Sequence, residues 1–228
     1  MHTGIRFGAA LLATVALGLT ACTGSSKDAT QPTNHPSTSS TTTDAPNPSA
    51  LTPLQVWPAP DDAMAMARQA GLTPETAERL TFHVHSHLDV FIDARPVLVP
   101  PGIGINIHDP GVHAFPNGDG TTSYGGIVQP CNQACISPLH THDPDGILHT
   151  ESATLTPNRL GQFFTEWAVP VTDSCVGVYC EPKTSIAWYV NGKKYEDDPN
   201  QIQLLNATEI ALVIGTPPDD IPSAMPPQ

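Results

Sequence analysis

Residues 80–92 read LTFHVHSHLDVFI. Phe82, Val84, Leu88, Val90 and Ile92 fall on alternate positions, with polar side chains between most of them. A period of two is that of a β-strand, whose successive side chains point to opposite faces. In a helix, residues two apart diverge by roughly 200° around the axis, so this pattern would leave no coherent apolar face. The chain must therefore build a sheet with one face against a core. The opposite face of this strand carries His83, His85 and His87, three imidazoles pointing the same way.

The rest of the chain supplies partners for that strand. Residues 61–70 (DDAMAMARQA) predict a short helix, with Asp near its start and Gly71 as its stop. Met64 and Met66 stand two apart on it and so serve packing rather than joint metal binding. Residues 147–155 predict a second strand. Thr156 then stands as an N-cap with Pro157 in the first helical position. The helix runs to about Trp167 and places Leu160, Phe163, Phe164 and Trp167 on one face. Residues 185–190 predict a strand, Asn191-Gly192 a type I′ hairpin turn, and residues 209–214 a last strand. Residues 100–137, rich in Gly, Pro, Asn and Asp, form a long insertion of the kind that usually carries function.

Strand, helix, strand, hairpin, strand is the order of an α+β domain: a mixed β-sheet with one main packed helix. From residue 147 onward it resembles the β-grasp fold, and NGKKY…IQLLNATEIALVIG is similar to small sulfur-carrier members of that class. Those end in a free Gly-Gly, whereas this chain continues past Gly215 into a Pro-rich tail. The resemblance therefore implies fold and not function. A cupin-like or cupredoxin-like β-barrel is the rival architecture.

Eight of the ten histidines lie between residues 83 and 149. In PLHTHDPDGILHTES, residues 138–152, His140 and His142 share one face of an extended segment. Asp143-Pro144-Asp145-Gly146 then turns the chain, and His149 and Glu151 share a face on the returning strand. If that hairpin neighbours the strand at 83–87, the imidazoles converge. Several neutral imidazoles and one carboxylate on rigid strands are what Cu(II) or Zn(II) requires. The candidate ligands are His85, His87, His140 and His142, followed by His149, Glu151 and His83. Asp143 and Asp145 are candidates to fix ring tautomers, and His108 and His113 to close over the site. The twelve-residue calcium loop with its terminal Glu is missing. HTHDPDGILHTES followed by LTPNRLGQFFTEWAV also resembles a family of uncharacterised secreted bacterial domains that pair a His-Thr-His-Asp stretch with a Leu-Gly-Gln-Phe-Phe helix. That resemblance names no reaction.

Location follows from the N-terminus. His2 and Arg6 precede an apolar run at 7–19, too short to span a bilayer comfortably, which ends in Leu19-Thr20-Ala21-Cys22. This resembles the lipobox of bacterial lipoproteins. The resemblance implies a signal peptide over 1–21, lipidation of Cys22, and anchoring to the extracytoplasmic face of the cell membrane. Residues 22–53 then form a Ser/Thr/Pro-rich tether with too little apolar surface to fold. Residues 54–217 form a single globular His-rich domain, and 218–228 a tail expected to fray. Net charge is −13. So acidic a chain lacks the clustered Lys and Arg that nucleic-acid binding requires.

Four further cysteines, Cys131, Cys135, Cys175 and Cys180, are an even number in an oxidising compartment. The local pairs 131–135 and 175–180 are favoured, cross-pairing is open, and Cys135 as a metal thiolate is the functional alternative. Three functions fit: a metal-binding module for sequestration, sensing or delivery; a metal-dependent hydrolase or oxidoreductase; or a metal-free interaction domain whose histidines respond to pH. No HExxH or GxSxG motif marks an enzyme, so the sequence leaves catalysis open.

Overall fold

The computed structural model describes residues 52–127 and 130–227. The segments expected to be a signal peptide and, up to residue 51, a tether, with Cys22 between them, lie outside the described residues. The strands in chain order are β1 (Phe82–Ile92), β2 (Arg95–Val97), β3 (His113–Pro116), β4 (Thr122–Gly125), β5 (Leu139–His140), β6 (Ile147–Ser152), β7 (Cys175–Val176), β8 (Tyr179–Cys180), β9 (Ile186–Val190), β10 (Lys193–Tyr195) and β11 (Thr208–Ile214). Two α-helices, α1 (Ala63–Gln69) and α2 (Leu160–Glu166), complete the regular structure with one turn of 3-10 helix at Pro199–Gln201.

Among the described residues, seven strands form one mixed sheet in the order β10-β9-β11-β1-β6-β5, with β2 beside the far end of β1. β1 and β11 run parallel at its centre, and every other pairing is antiparallel. The sheet is open, so the α+β reading holds and the barrel does not. The first hairpin of the β-grasp-like arrangement is β1–β2, so that arrangement begins well before residue 147.

Alternation along β1 places Leu88, Val90 and Ile92 in the core, where α2 covers the sheet with Leu160, Phe163, Phe164 and Trp167. Each such side chain contributes about 1.5–3 kcal/mol by leaving water. Ser86 also faces inward, fully buried, and its hydroxyl donates to the Leu205 carbonyl at 2.9 Å. The indole of Trp167 donates to the Trp57 carbonyl at 3.1 Å, which ties the N-terminal segment to the helix.

α2 starts three residues later than its sequence signals suggest. Residues 158–160 are spent on a bridge to the segment after the 3-10 turn: Leu160 N–H donates to Ile202, and Leu204 N–H to Asn158. Thr156 therefore caps nothing. Gln162 reaches back instead, and its side-chain oxygen accepts from the Arg159 N–H at 2.9 Å. The Asn191-Gly192 turn has φ of 50° and 74° at its two central residues, as a type I′ turn requires. The C-terminal segment expected to fray is placed against this turn, with Ser223 lying on Gly192.

The long insertion is not structureless. It holds the β3–β4 hairpin and a second apolar cluster of Ile105, Ile127, Ile136 and the Cys131–Cys135 disulfide. Cys175 and Cys180 face each other across β7–β8 and form the second disulfide. Both are the local pairs, so Cys135 has no thiolate to offer a metal. Two disulfides fit an oxidising, extracytoplasmic environment. Among the described residues, no helix is long and apolar enough to cross a membrane.

Phe163 has no exposed surface, whereas Val178 is 84% exposed. Phe163→Ala is expected to cost about 3–5 kcal/mol in chemical denaturation, and Val178→Ala to stay within about 0.5 kcal/mol. Equal shifts in the two variants would contradict this core.

Candidate metal centre

The site is a consequence of register. β6 lies between β5 and β1, and His149 stands directly opposite His140 on one side and His85 on the other. One step along the sheet, Glu151 stands opposite His83. Directly opposed residues project to the same face with Cβ atoms about 4.5–5.5 Å apart. Three strands thus lay the row His140–His149–His85 beside the pair Glu151–His83. His142 continues the face of His140 beyond the end of β5.

The side chains close on one another as these rows dictate. His140 and His142 face each other through Nε2 atoms 3.1 Å apart. His83 and His85 do the same at 2.8 Å. His149 lies between the pairs, its ring centroid 4.4 Å from that of His85 and 4.5 Å from that of His142. Glu151 Oε1 is 3.2 Å from His83 Nε2 and 3.5 Å from His149 Nδ1.

Backbone carbonyls settle two tautomers. His140 Nδ1 is 2.9 Å from the Ser137 carbonyl, and His142 Nδ1 is hydrogen-bonded to the Tyr124 carbonyl. A carbonyl only accepts, so both Nδ1 atoms carry the proton. In the neutral rings both Nε2 atoms are then lone pairs, facing each other at 3.1 Å with nothing to donate between them. Two ligands on one tetrahedral Zn(II), at about 2.0–2.1 Å from the ion, stand about 3.3 Å apart. Holding the ligand ring through its other N–H on a carbonyl is the usual way to aim it at a metal. Tyr124 belongs to β4, so the long insertion serves the site through its backbone. Gly125 permits the approach: a Cβ there would come within 2.7 Å of His142 Nδ1.

Burial sharpens the need for a cation. His140 is completely buried, and its pKa is pushed well below 6.5 by burial and by the neighbouring imidazoles of His142 and His149. His149 is lowered as well, chiefly by burial, against the pull of the Glu151 carboxylate 3.5 Å away. Burial opposes ionisation of Glu151, but the nearby imidazoles of His149, His83 and His142 outweigh it and hold the carboxylate below 4.5. His149 Nδ1 and Glu151 Oε2 are buried without a hydrogen-bond partner. Such atoms cost stability unless something pairs with them. Ligand atoms of His140, His142, His149 and Glu151 all lie within 4.8 Å of one another, as do those of His83, His85 and His149. Both groups could hold a metal ion.

His87 is placed elsewhere. Asp145 and Gly146 cover its side of β1, and β11 brings Glu209 beside it. His87 Nδ1 lies 2.9 Å from Glu209 Oε2, and its Nε2 lies 2.8 Å from the Asp145 carbonyl. Burial opposes its charge, yet the hydrogen bond and charge of Glu209, with Asp89 behind, raise its pKa. Burial also raises the pKa of Glu209 above 4.5, so the two share a proton between Nδ1 and Oε2, and both nitrogens of His87 are engaged. Ligand atoms of His87, Asp89 and Glu209 also lie within 4.8 Å of one another, a third group that could hold an ion, separate from the six other candidates.

The side chains of Asp143 and Asp145 do not orient the rings. Asp143 accepts from the Ser123 hydroxyl, and Asp145 Oδ1 accepts from the Ile147 N–H. His113 is exposed and stacks on Phe115, and among the described residues neither it nor His108 joins a ligand group. Sequence reasoning missed the Ser137 and Tyr124 carbonyls, because a backbone acceptor leaves no residue signature. It also missed Glu166, fully buried on α2, whose carboxyl burial pushes well above 4.5 against the pull of Ser137. An acid inside the apolar stripe of a helix is the signal that could have found it. Compared with known families, curated proteins and solved structures, the chain matches none.

The lowered histidines predict acid sensitivity of the metal-free fold. Unfolded, His140 and His149 protonate near 6.5; folded, they do so only at lower pH. Their contribution is fully present above 6.5 and is lost as pH falls through the folded values. His87, raised, has the opposite sign: its contribution is complete below 6.5 and is lost as pH rises through its folded value. Denaturation of the metal-free chain between about pH 7.5 and 5.5 should show stability falling toward acid, less steeply in His140→Asn. Identical slopes would exclude His140 as a source of the effect.

Proposed function

We propose that the folded domain is a lipid-anchored, extracytoplasmic module that binds divalent copper or zinc, for sequestration, sensing or delivery. The observation that carries this reading is the pair of His140 and His142 Nε2 atoms at 3.1 Å, each ring held by its Nδ1–H on a backbone carbonyl. His149 and Glu151 beside them, whose Nδ1 and Oε2 make no hydrogen bond, supply the remaining donors. Imidazole with one carboxylate suits Zn(II) and Cu(II); no thiolate or thioether belongs to the groups, which disfavours Cu(I). Four protein donors fill a tetrahedral ion, whereas catalytic zinc keeps a position open for water. That difference favours holding an ion over hydrolysis.

Attachment rests on Leu19-Thr20-Ala21-Cys22, the lipobox-like end of the apolar run. A lipid on Cys22 and a Ser/Thr/Pro-rich tether would set the domain off the outer surface of the membrane.

Elemental analysis of the full chain, made in an oxidising compartment without an affinity tag, should find at least one copper or zinc per molecule. Added metal at about 100 times its Kd should stabilise the metal-free chain by about 2.7 kcal/mol. His140→Ala with His142→Ala should abolish that gain. Gly125→Ala should reduce it by displacing the His142 ring with every donor still present. A chain that binds neither metal and gains no stability from either would end the reading. Separately, Cys22→Ser should move the chain from the membrane to the soluble fraction of cells; unchanged membrane attachment would exclude the lipid on Cys22.

A further inference from the structure

The six converging side chains are too many for one tetrahedral ion, and they are not arranged as a single shell. They form two pairs with a shared middle. The inner pair is His140 and His142, joined through Nε2 atoms at 3.1 Å, with His140 fully buried. The outer pair is His83 and His85, joined through Nε2 atoms at 2.8 Å, with the His83 side chain 38% exposed. Each spacing is near that of two nitrogens on one ion. Between them stand His149, which belongs to both groups, and Glu151.

Glu151 reaches both sides: it belongs to the group of His140, His142 and His149, and it also lies beside His83. Its Oε1 is 3.2 Å from His83 Nε2, and its Oε2 is buried with no partner. A carboxylate within reach of two sets of imidazoles can bridge a two-metal centre, where the ions stand about 3.5–4 Å apart.

From this arrangement, and resting on the metal-binding reading above, we infer that the domain holds two adjacent divalent transition-metal ions bridged by Glu151. The inner ion is held by His140, His142, His149 and one Glu151 oxygen. The outer ion is held by His83, His85 and the other oxygen, and has a side open to solvent. The inner subsite, buried and saturated with protein donors, holds its ion; the outer one, beside half-exposed His83, is where an ion enters or leaves. His87 takes no part, because both its nitrogens are spent on Glu209 and Asp145.

Equilibrium dialysis of the full chain against Zn(II) alone, with titration calorimetry, reads the count. Two ions per chain are expected, one tighter than the other. His83→Ala with His85→Ala should leave one tight ion. Glu151→Gln should weaken both. With Cu(II) in both subsites, electron paramagnetic resonance should show a signal lost or broadened by coupling between neighbouring ions. One ion per chain, lost only in His140→Ala with His142→Ala, overturns the second subsite and leaves the metal-binding reading standing. A second ion that survives loss of His83 and His85 sits elsewhere and also overturns it. Two Cu(II) ions giving full, uncoupled intensity exclude the shared bridge. No binding at all removes the underlying reading, a result distinct from the others. The count in the unaltered chain does not depend on any variant folding.

Discussion

The hydrogen-bonded register of β5, β6 and β1 is the constraint on which the rest depends. It sets His140, His149 and His85 in one row and Glu151 beside His83 in the next. A slip of one residue would turn these side chains into the core and bring Leu148 and Thr150, both fully buried, out to solvent. The same ladder that fixes the site therefore fixes the core. Burial of Leu88, Val90 and Leu148 on one face holds the imidazoles on the other without any contribution from a metal.

That arrangement carries an electrostatic cost. Buried imidazoles crowd one another, two lone pairs face each other, and two polar atoms have no partner. Packing of α2 on the sheet and two local disulfides offset such costs in a domain of this size. A divalent cation would turn each of these liabilities into a coordination bond. His87 shows the contrasting solution on the same strand: both nitrogens of its ring are engaged, one by a carboxyl group and one by a carbonyl.

Local features were readable in the chain. β1, the Asn191-Gly192 turn, the apolar face of α2 and both cysteine pairs each depend on residues close in sequence. The start of α2 was misplaced because a bridge to residue 203, more than forty positions away, takes up the residues that look like its first turn. His87 was grouped with His83 and His85 because alternation gives only the face. Glu209 and the Asp145 carbonyl, which decide its state, come from β11 and from the turn before β6.

By itself the sequence determined that a strand bearing three imidazoles on one face must exist, since period-two alternation admits no other regular structure. It also determined that His140, His142, His149 and Glu151 lie either side of one turn. Only the tertiary structure decided that β6 lies beside β1 rather than beside β11, and so that the two groups of imidazoles meet. Only it supplied the Ser137 and Tyr124 carbonyls that aim the inner pair. Adjacency of strands and donation to a backbone carbonyl are set by long-range hydrogen bonds, to which one residue type contributes as well as another. The composition of a ligand set can be read along a chain; its convergence has to be built by the sheet.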